Sequence, residues 1–316
     1  MGKRERKISR FIGRWITEQG AGTVEYVIVV LVAIVIGSGL LAFGNQVSGQ
    51  VTKTGDSISS WFSKANGTGG TGGGNAGGGA DSRIDELKEK DPADWTLDDQ
   101  KAVAEDIEKK GNSSELYAKA KDAMDAGTEW PITLTNGKTM TYRIIGIGHD
   151  DLADGSGKAG LTFEATNNTL ALQKMNPTNT NDGGWEKSEL RGRLNTGDLW
   201  LLLPGELQSK VEPVTKMTDN KGGGTAGTAS ATTDKVFLLS TTEAYGDVQS
   251  DGTQYEYYKS KGVTTSEYSG ASSRYYHWTR SVYPSKSTSF RYVSKFGDRG
   301  YGPATDTNYV FPAWCF

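Results

Sequence analysis

A single cysteine, Cys315, and two histidines, His149 and His277, occur in a chain of 316 residues. One thiol has no intramolecular partner, so no disulfide framework staples the fold. Three such side chains cannot furnish a four-ligand zinc site of cysteines and histidines, so neither a metal nor any other cofactor is expected. Apolar residues reach only 35%, poor for one large close-packed core at this length. A tail, a linker or a loop-rich module must dilute the average. The 35 basic and 38 acidic residues nearly cancel, leaving no overall basic footprint, and no nucleic-acid partner is expected. Two residue types are in excess or unevenly placed. Glycine is abundant, with 42 in all, and ten of the fourteen tyrosines fall between Tyr255 and the C-terminus.

The first twenty residues carry Lys3, Arg4, Arg6, Lys7, Arg10 and Arg14 against Glu5 and Glu18, a net +4, so the remainder carries −7. From Tyr26 to Thr52 no residue is charged, and the stretch to Phe43 is dominated by valine, isoleucine and leucine. Eighteen helical residues span roughly 27 Å, close to a bilayer core of about 30 Å. The basic flank places the N-terminus in the cytoplasm. A plain signal anchor, a cleaved secretory signal and a prepilin all start this way. Leu41-Ala42-Phe43-Gly44 is a poor secretory cleavage site. Glu25 discriminates further, because a carboxylate at the edge of an apolar helix is costly unless it serves a purpose.

The run Gly20-Ala21-Gly22-Thr23-Val24-Glu25-Tyr26 resembles the Flp-type (Tad) pilins. Their leader is cut after a glycine, leaving glutamate at mature position five followed by tyrosine. The resemblance implies cleavage between Gly20 and Ala21 by a prepilin peptidase. It also implies neutralisation of the new Ala21 amine by Glu25 of a neighbouring pilin subunit, within membrane lipid. Flp pilins are short, however, and this chain continues for more than 250 residues.

Asn66 to Ala80 holds nine glycines in fifteen residues and nothing to bury. It reads as a flexible tether with a span of roughly 20 Å, or alternatively as a surface loop. Asp81 to Gly127 is charged and helix-forming. Thr96-Leu97-Asp98-Asp99 is a capping-box-like start and Gly111 a stop. A second helix, capped by Ser113 or Ser114, carries Leu116, Tyr117, Ala120 and Met124 on one stripe and ends at Gly127. These stripes are read as core contacts of a spacer, with a partner-binding helix as the alternative.

Pro131 to Gly146 is strand, Asn136-Gly137 turn and strand, a strong hairpin signal. Further strands are expected over 161–165, 235–240, 277–281, 290–293 and 309–316, with a helix over 185–195. Enzymatic and metal readings fail on spacing. A calcium loop begun at Asp150 would put Leu152 and Leu161 at ligand positions, so the 149–155 segment reads as a loop of solvated aspartates. Gly155-Ser156-Gly157-Lys158-Ala159 lacks the first glycine and the magnesium-binding hydroxyl of a phosphate loop. His277 has Ser273 and Ser281 nearby but no recognisable nucleophile motif, so it is read as a paired or exposed histidine. The tyrosines of the tail are interspersed with serine, glycine and asparagine, the composition of a paratope. A β module whose rings simply pack is the alternative.

Four landmarks, Gly184–Arg191 (GWEKSELR), Asp234–Ser240 (DKVFLLS), Trp278–Ser281 (WTRS) and Val310–Phe316 (VFPAWCF), occur in order. Together they resemble a bacterial surface domain of the C-type-lectin fold, the formylglycine-generating-enzyme-like variety that includes the target proteins of diversity-generating retroelements. Thr279, Val282 and Tyr309 depart from common residues of that pattern. The resemblance implies a scaffold of Trp278, Arg280, Phe290, Val293, Pro312 and Trp314. It places a variable, ligand-binding set at Tyr283, Lys286, Ser287, Ser289, Tyr292, Lys295, Phe296, Asp298, Arg299, Tyr301, Asp306 and Asn308.

The expected architecture is α+β: a leader over 1–20, a pilin-like transmembrane helix over 21–65, a glycine linker over 66–80, a helical spacer over 81–129 and a lectin-like domain over 130–316. The expected function is that of a cell-surface or pilus-displayed adhesin or receptor, not an enzyme, binding an extracellular protein or glycan. A structural minor pilin capping a filament, and a membrane-anchored enzyme of formylglycine-synthase ancestry using Cys315 or His277, are the alternatives.

Overall fold

The computed structural model describes residues 78–246 and 249–316. The expected leader, the apolar helix and most of the glycine tether, with Gly20, Ala21, Glu25 and Tyr26, lie outside the described residues. Among the described residues no helix is long and apolar enough to cross a membrane.

Three helices come first: α1 (Gly78–Glu89), α2 (Leu97–Lys110) and α3 (Tyr117–Ala126). Helix α1 starts inside the segment expected as tether. The capping box of α2 is complete: Thr96 Oγ1 accepts from the Asp99 amide, and Asp99 accepts from the Thr96 amide at 2.8 Å. The same carboxylate pairs with Arg83 and with Lys90, which ties α1 to the start of α2. Ser114 Oγ accepts from the Leu116 amide ahead of α3, and Gly127 closes α3 in the left-handed region. Leu87, Val103, Ile107, Leu116, Ala120 and Met124 are buried in one core with the sheets that follow. Residues Asn75–Phe316 form one compact unit. Gly160 permits the close approach of α2, because a Cβ there would lie 1.9 Å from the Ala104 carbonyl oxygen.

The hairpin β1 (Trp130–Thr133) and β2 (Thr139–Ile147) turns at Asn136-Gly137, with Gly137 at φ 80°. After β3 (Leu161–Ala165) and β4 (Leu172–Gln173) come three short helices, α4 (Glu189–Asn195), α5 (Asp198–Leu202) and α6 (Gly205–Gln208). Strands β5 (Val214–Asp219) and β6 (Ala229–Asp234) pair as a two-stranded ribbon. Then follow β7 (Val236–Phe237), α7 (Thr241–Tyr245), α8 (Glu256–Ser260), β8 (His277–Val282), β9 (Ser289–Val293), β10 (Arg299–Pro303), β11 (Asn308–Tyr309) and β12 (Ala313–Cys315). One five-stranded sheet has the order β1-β2-β3-β12-β7, and the other has the order β10-β9-β8-β11-β4. The fold is therefore α+β. Around β3 and β12 the rings of Trp130, Tyr142, Phe163, Trp314 and Phe316 stack edge and face, with centroids 4.9–6.3 Å apart.

Three sequence expectations shift for identifiable reasons. The helix expected from Trp185 starts at Glu189, because Ser188 caps it while the Trp185 indole turns inward and donates to Asp234 at 3.1 Å. The strand expected to Ser240 ends at Phe237, because Ser240 and Glu243 form a capping box that opens α7. The strand expected over 309–316 breaks into β11 and β12 in different sheets. Pro312, which has no amide hydrogen to donate, stands between them.

The expected loop of solvated aspartates also needs correction. Asp151 and Asp154 are exposed, but Asp150 is buried at 3% and belongs to an ionic network. Lys216 Nζ lies 2.5 Å from Asp150 and 2.6 Å from Glu243, and Arg280 forks onto the same Glu243. Tyr255 and Thr162 hydroxyls donate to Asp150 at 2.9 and 2.6 Å. Burial alone would raise both carboxyl pKa values, yet Lys216 beside Asp150 and Arg280 beside Glu243 hold them below the ordinary range. The network joins the β2–β3 connection, β5, α7 and β8.

Candidate ligand-binding face

Strand β8 is buried at every residue and carries the platform. The Trp278 indole donates to the Gln173 carbonyl at 2.9 Å, and Arg280 also donates to the carbonyl oxygens of Leu238 and Asp251. The expected scaffold residues Trp278, Arg280, Phe290, Val293, Pro312 and Trp314 are all buried. Strand β9 pairs with β8 on one side and with β10 on the other, so β10 is the sheet's edge.

Register divides the expected ligand contacts between two faces. Tyr301 lies opposite Arg291, and Gly300 lies opposite Tyr292, so the two tyrosines project from opposite sides of the ribbon. On the first side Tyr283 stacks on Tyr301 with centroids 4.0 Å apart and planes 9° apart. Arg291 Cζ lies 4.9 Å from the Tyr283 centroid, and Lys286 Nζ lies 4.6 Å from that of Tyr301. The result is two rings held between two cations. On the other side the Tyr292 ring covers Gly300, where a Cβ would meet it at 2.1 Å, and contacts Tyr276 edge-on at 5.5 Å. Asp306 lies on that side, close to Gly302. Asn308 is half-buried on β11.

The β9–β10 turn exposes Lys295 and Phe296, the latter at 64%. Asp298 accepts from the Ser294 hydroxyl, and Arg299 donates to the Thr265 carbonyl at 3.3 Å. Lys286 and Ser287 are exposed on the β8–β9 turn. Ser289 is the exception among the expected contacts: at 2% exposure it faces the interior, where its carbonyl accepts from the Tyr283 amide. It is removed from the candidate set. Among the described residues Lys286, Arg291, Lys295 and Arg299 form no ion pair. Arg291 is half-buried and donates to Gln249 at 2.8 Å, and burial together with the nearby Arg299 lowers its pKa.

Two supporting elements escape sequence reasoning. Asn181 is fully buried, and its Nδ2 donates to the carbonyl oxygens of Lys286 at 2.8 Å and Ser289 at 2.7 Å. Its own amide donates to the Ser287 carbonyl, and its Oδ1 accepts from the Gly223 amide. The Gly222-Gly223-Gly224 turn, all at positive φ, packs against Asn181 and Ser287. Asn181 lies in a run of polar residues with Asn176 and Asn179, and composition alone does not single it out. Arg291 sits within the expected interval, yet only the β9–β10 register shows that it shares a face with Tyr301.

The two groups that an enzymatic alternative would use, Cys315 and His277, are both buried. Cys315 is fully buried, and burial with Asp150 nearby pushes its thiol well above the ordinary range. Burial pushes His277 down to about 4. Among the described residues no group of three or more His, Cys, Asp or Glu is placed to hold a metal ion.

A family model described as a domain of unknown function (DUF6273) matches residues 160–315. The similarity spans β3 to β12, including the whole β8–β10 platform, and leaves α1 to α3 and the β1–β2 hairpin outside. No curated protein and no solved structure matches the chain.

Proposed function

We propose that this chain is a surface-displayed binding protein. In this reading a pilin-like N-terminal helix, processed between Gly20 and Ala21, holds a C-type-lectin-like domain outside the cell. The tyrosines and cations of the β8–β10 platform recognise an extracellular ligand. The observation that carries the reading is the Tyr283–Tyr301 stack between Lys286 and Arg291, standing on a fully buried strand. Pre-stacked rings present broad contact area with little rotamer entropy left to lose, and aromatic and arginine residues commonly dominate binding energy. The cations around the stack have no carboxylate partner within the described residues, which leaves their charge available to a ligand.

Replacing Tyr283 and Tyr301 together by alanine is expected to abolish attachment of cells bearing the chain while its surface level stays unchanged. Unchanged attachment would leave a structural filament role instead. The proposed diversification predicts a near-copy of the gene's last hundred or so bases, differing mainly at adenines, beside a reverse-transcriptase gene. A locus without that copy leaves a fixed adhesin.

A further inference from the structure

A polar cavity of about 300 Å³ lies away from the tyrosine stack, between the β2–β3 strand pair and the segment that leads into β8. Its floor is the cross-strand pair Arg143 and Glu164, with the guanidinium Nη2 3.7 Å from Glu164 Oε2. Arg143 Cζ lies 4.1 Å over the Tyr257 ring. Arg143 Nε is buried and has no hydrogen-bond partner. An orphaned donor on a charged group is expensive unless an acceptor is brought to it.

Glu164 meets both of its partners, Arg143 and Tyr258, at one oxygen, and among the described residues no hydrogen bond reaches its Oε1. It is buried at 3%, and the Tyr258 hydroxyl donates to its Oε2 at 2.7 Å. Burial still lifts its pKa above the ordinary value, and Arg143 does not fully offset that. His277 also lines the cavity; its Nδ1 shares Ser273 Oγ and the Tyr275 carbonyl at 3.0 and 3.2 Å, leaving Nε2 as the ring's remaining polar atom. Arg274, which follows Ser273 on the rim, is held at φ 65°, an uncommon conformation for a residue other than glycine.

The site thus presents a cation with an unpaired Nε and an anion with an unbonded Oε1 side by side, in a space at the small end of ligand pockets. A free α-amino acid carries the complementary charges on groups separated by one carbon. An oligosaccharide is too large for the volume, and a simple anion would set a second negative charge beside Glu164. We propose that this cavity binds a free α-amino acid, with its carboxylate on Arg143 and its ammonium on Glu164. The site is distinct from the tyrosine face and does not depend on it.

The test is ligand-observed saturation-transfer NMR and calorimetry on the full-length chain in mild detergent, with glycine, L-alanine and L-serine as probes. Each is compared with its N-acetyl and its amide derivative. Saturable binding of at least one free amino acid is expected, with a loss of roughly tenfold or more when either charge is blocked, as for a desolvated charge left unpaired. Arg143→Gln should lose the binding, while Tyr283→Ala with Tyr301→Ala should keep it. No saturable binding up to 10 mM, on the order of the weakest affinity worth calling a site, would mean a water-filled cavity and overturn the proposal. Blocked derivatives binding as well as the free acids would overturn it too, and that comparison needs no variant to fold.

Discussion

Lys216→Met should be among the most damaging single substitutions in this chain. Lys216 is 2% exposed and is the shared cation of two buried carboxylates, Asp150 at 2.5 Å and Glu243 at 2.6 Å. Glu243 retains the forked Arg280, but Asp150 would keep only the Tyr255 and Thr162 hydroxyls and the Cys315 thiol as donors, and no direct cation. Removing one partner of a buried pair costs about 3–5 kcal/mol, because the stranded charge can neither leave nor be solvated. That is two to four orders of magnitude in the folding equilibrium, and a fall in Tm of about 6–20 °C for a unit of this size. The intact pair contributes far less than this cost suggests, so Asp150→Asn combined with Lys216→Met should recover at least half of the loss. The assay is equilibrium urea denaturation followed by the fluorescence of the buried Trp278 and Trp314. A single-variant cost below about 1 kcal/mol, or a double variant equal to the sum of its singles, would refute the reasoning. Acid provides a second check. Asp150 and Glu243 have depressed folded pKa values, so their contribution is present above their ordinary values of 3.8 and 4.5 and is lost as pH falls below them. The double variant should show a shallower acid limb.

Asn181→Ala should cost about 1–3 kcal/mol, because it strands the buried carbonyl groups that hold the β8–β9 turn; a melt within about 0.5 kcal/mol of the parent would contradict it. Burial pulls the pKa of His149 down, but its hydrogen bond to Glu256 and the nearby Asp150 carry it above 6.5. Its contribution is therefore full below pH 6.5 and lost as pH rises through the folded value, and Glu256→Gln should flatten that decline between pH 5.5 and 9 in urea titrations. N-terminal sequencing of the displayed form should begin at Ala21; an intact Met1 or a start near Asn45 would remove the pilin-like processing.

How much was legible in the sequence depended on whether the signal was local. The Thr96–Asp99 capping box, the Asn136-Gly137 turn, the stops at Gly111 and Gly127 and the strand over 161–165 each rest on neighbouring residues, and each is present. Asp150, Lys216, Glu243 and Arg280 are far apart in the chain, and no spacing rule links them, so the sequence alone presents the aspartate segment as solvated. The interval from Tyr283 to Asn308 is legible as rich in tyrosine, and its two turns carry exposed residues. Its division into two faces is not legible, because that depends on which residue of β9 meets which residue of β10. Ser289 shares the face of Arg291 and Tyr301, and it is buried because the Asn181 side of the fold covers the start of β9, which spacing along the strand does not reveal.

The support of the β8–β9 turn bears on how a binding face of this kind tolerates change. Asn181 grips the turn only through the main chain, at the carbonyl oxygens of Lys286, Ser287 and Ser289, and Gly224 packs against the Ser287 amide nitrogen. No side chain of the turn takes part in that grip. Lys286 and Ser287 can therefore be exchanged without loosening the loop that displays them, at the few-tenths cost typical of surface positions. The sensitive residues lie beneath, in Asn181, Arg280 and the ionic network, outside the exposed set. Tyr292 is the exception, because its ring covers Gly300 and contacts both Tyr276 and the buried Trp278. Substitution there should disturb the edge strand as well as the surface, so of the three platform tyrosines Tyr292 is the one whose identity the fold itself constrains.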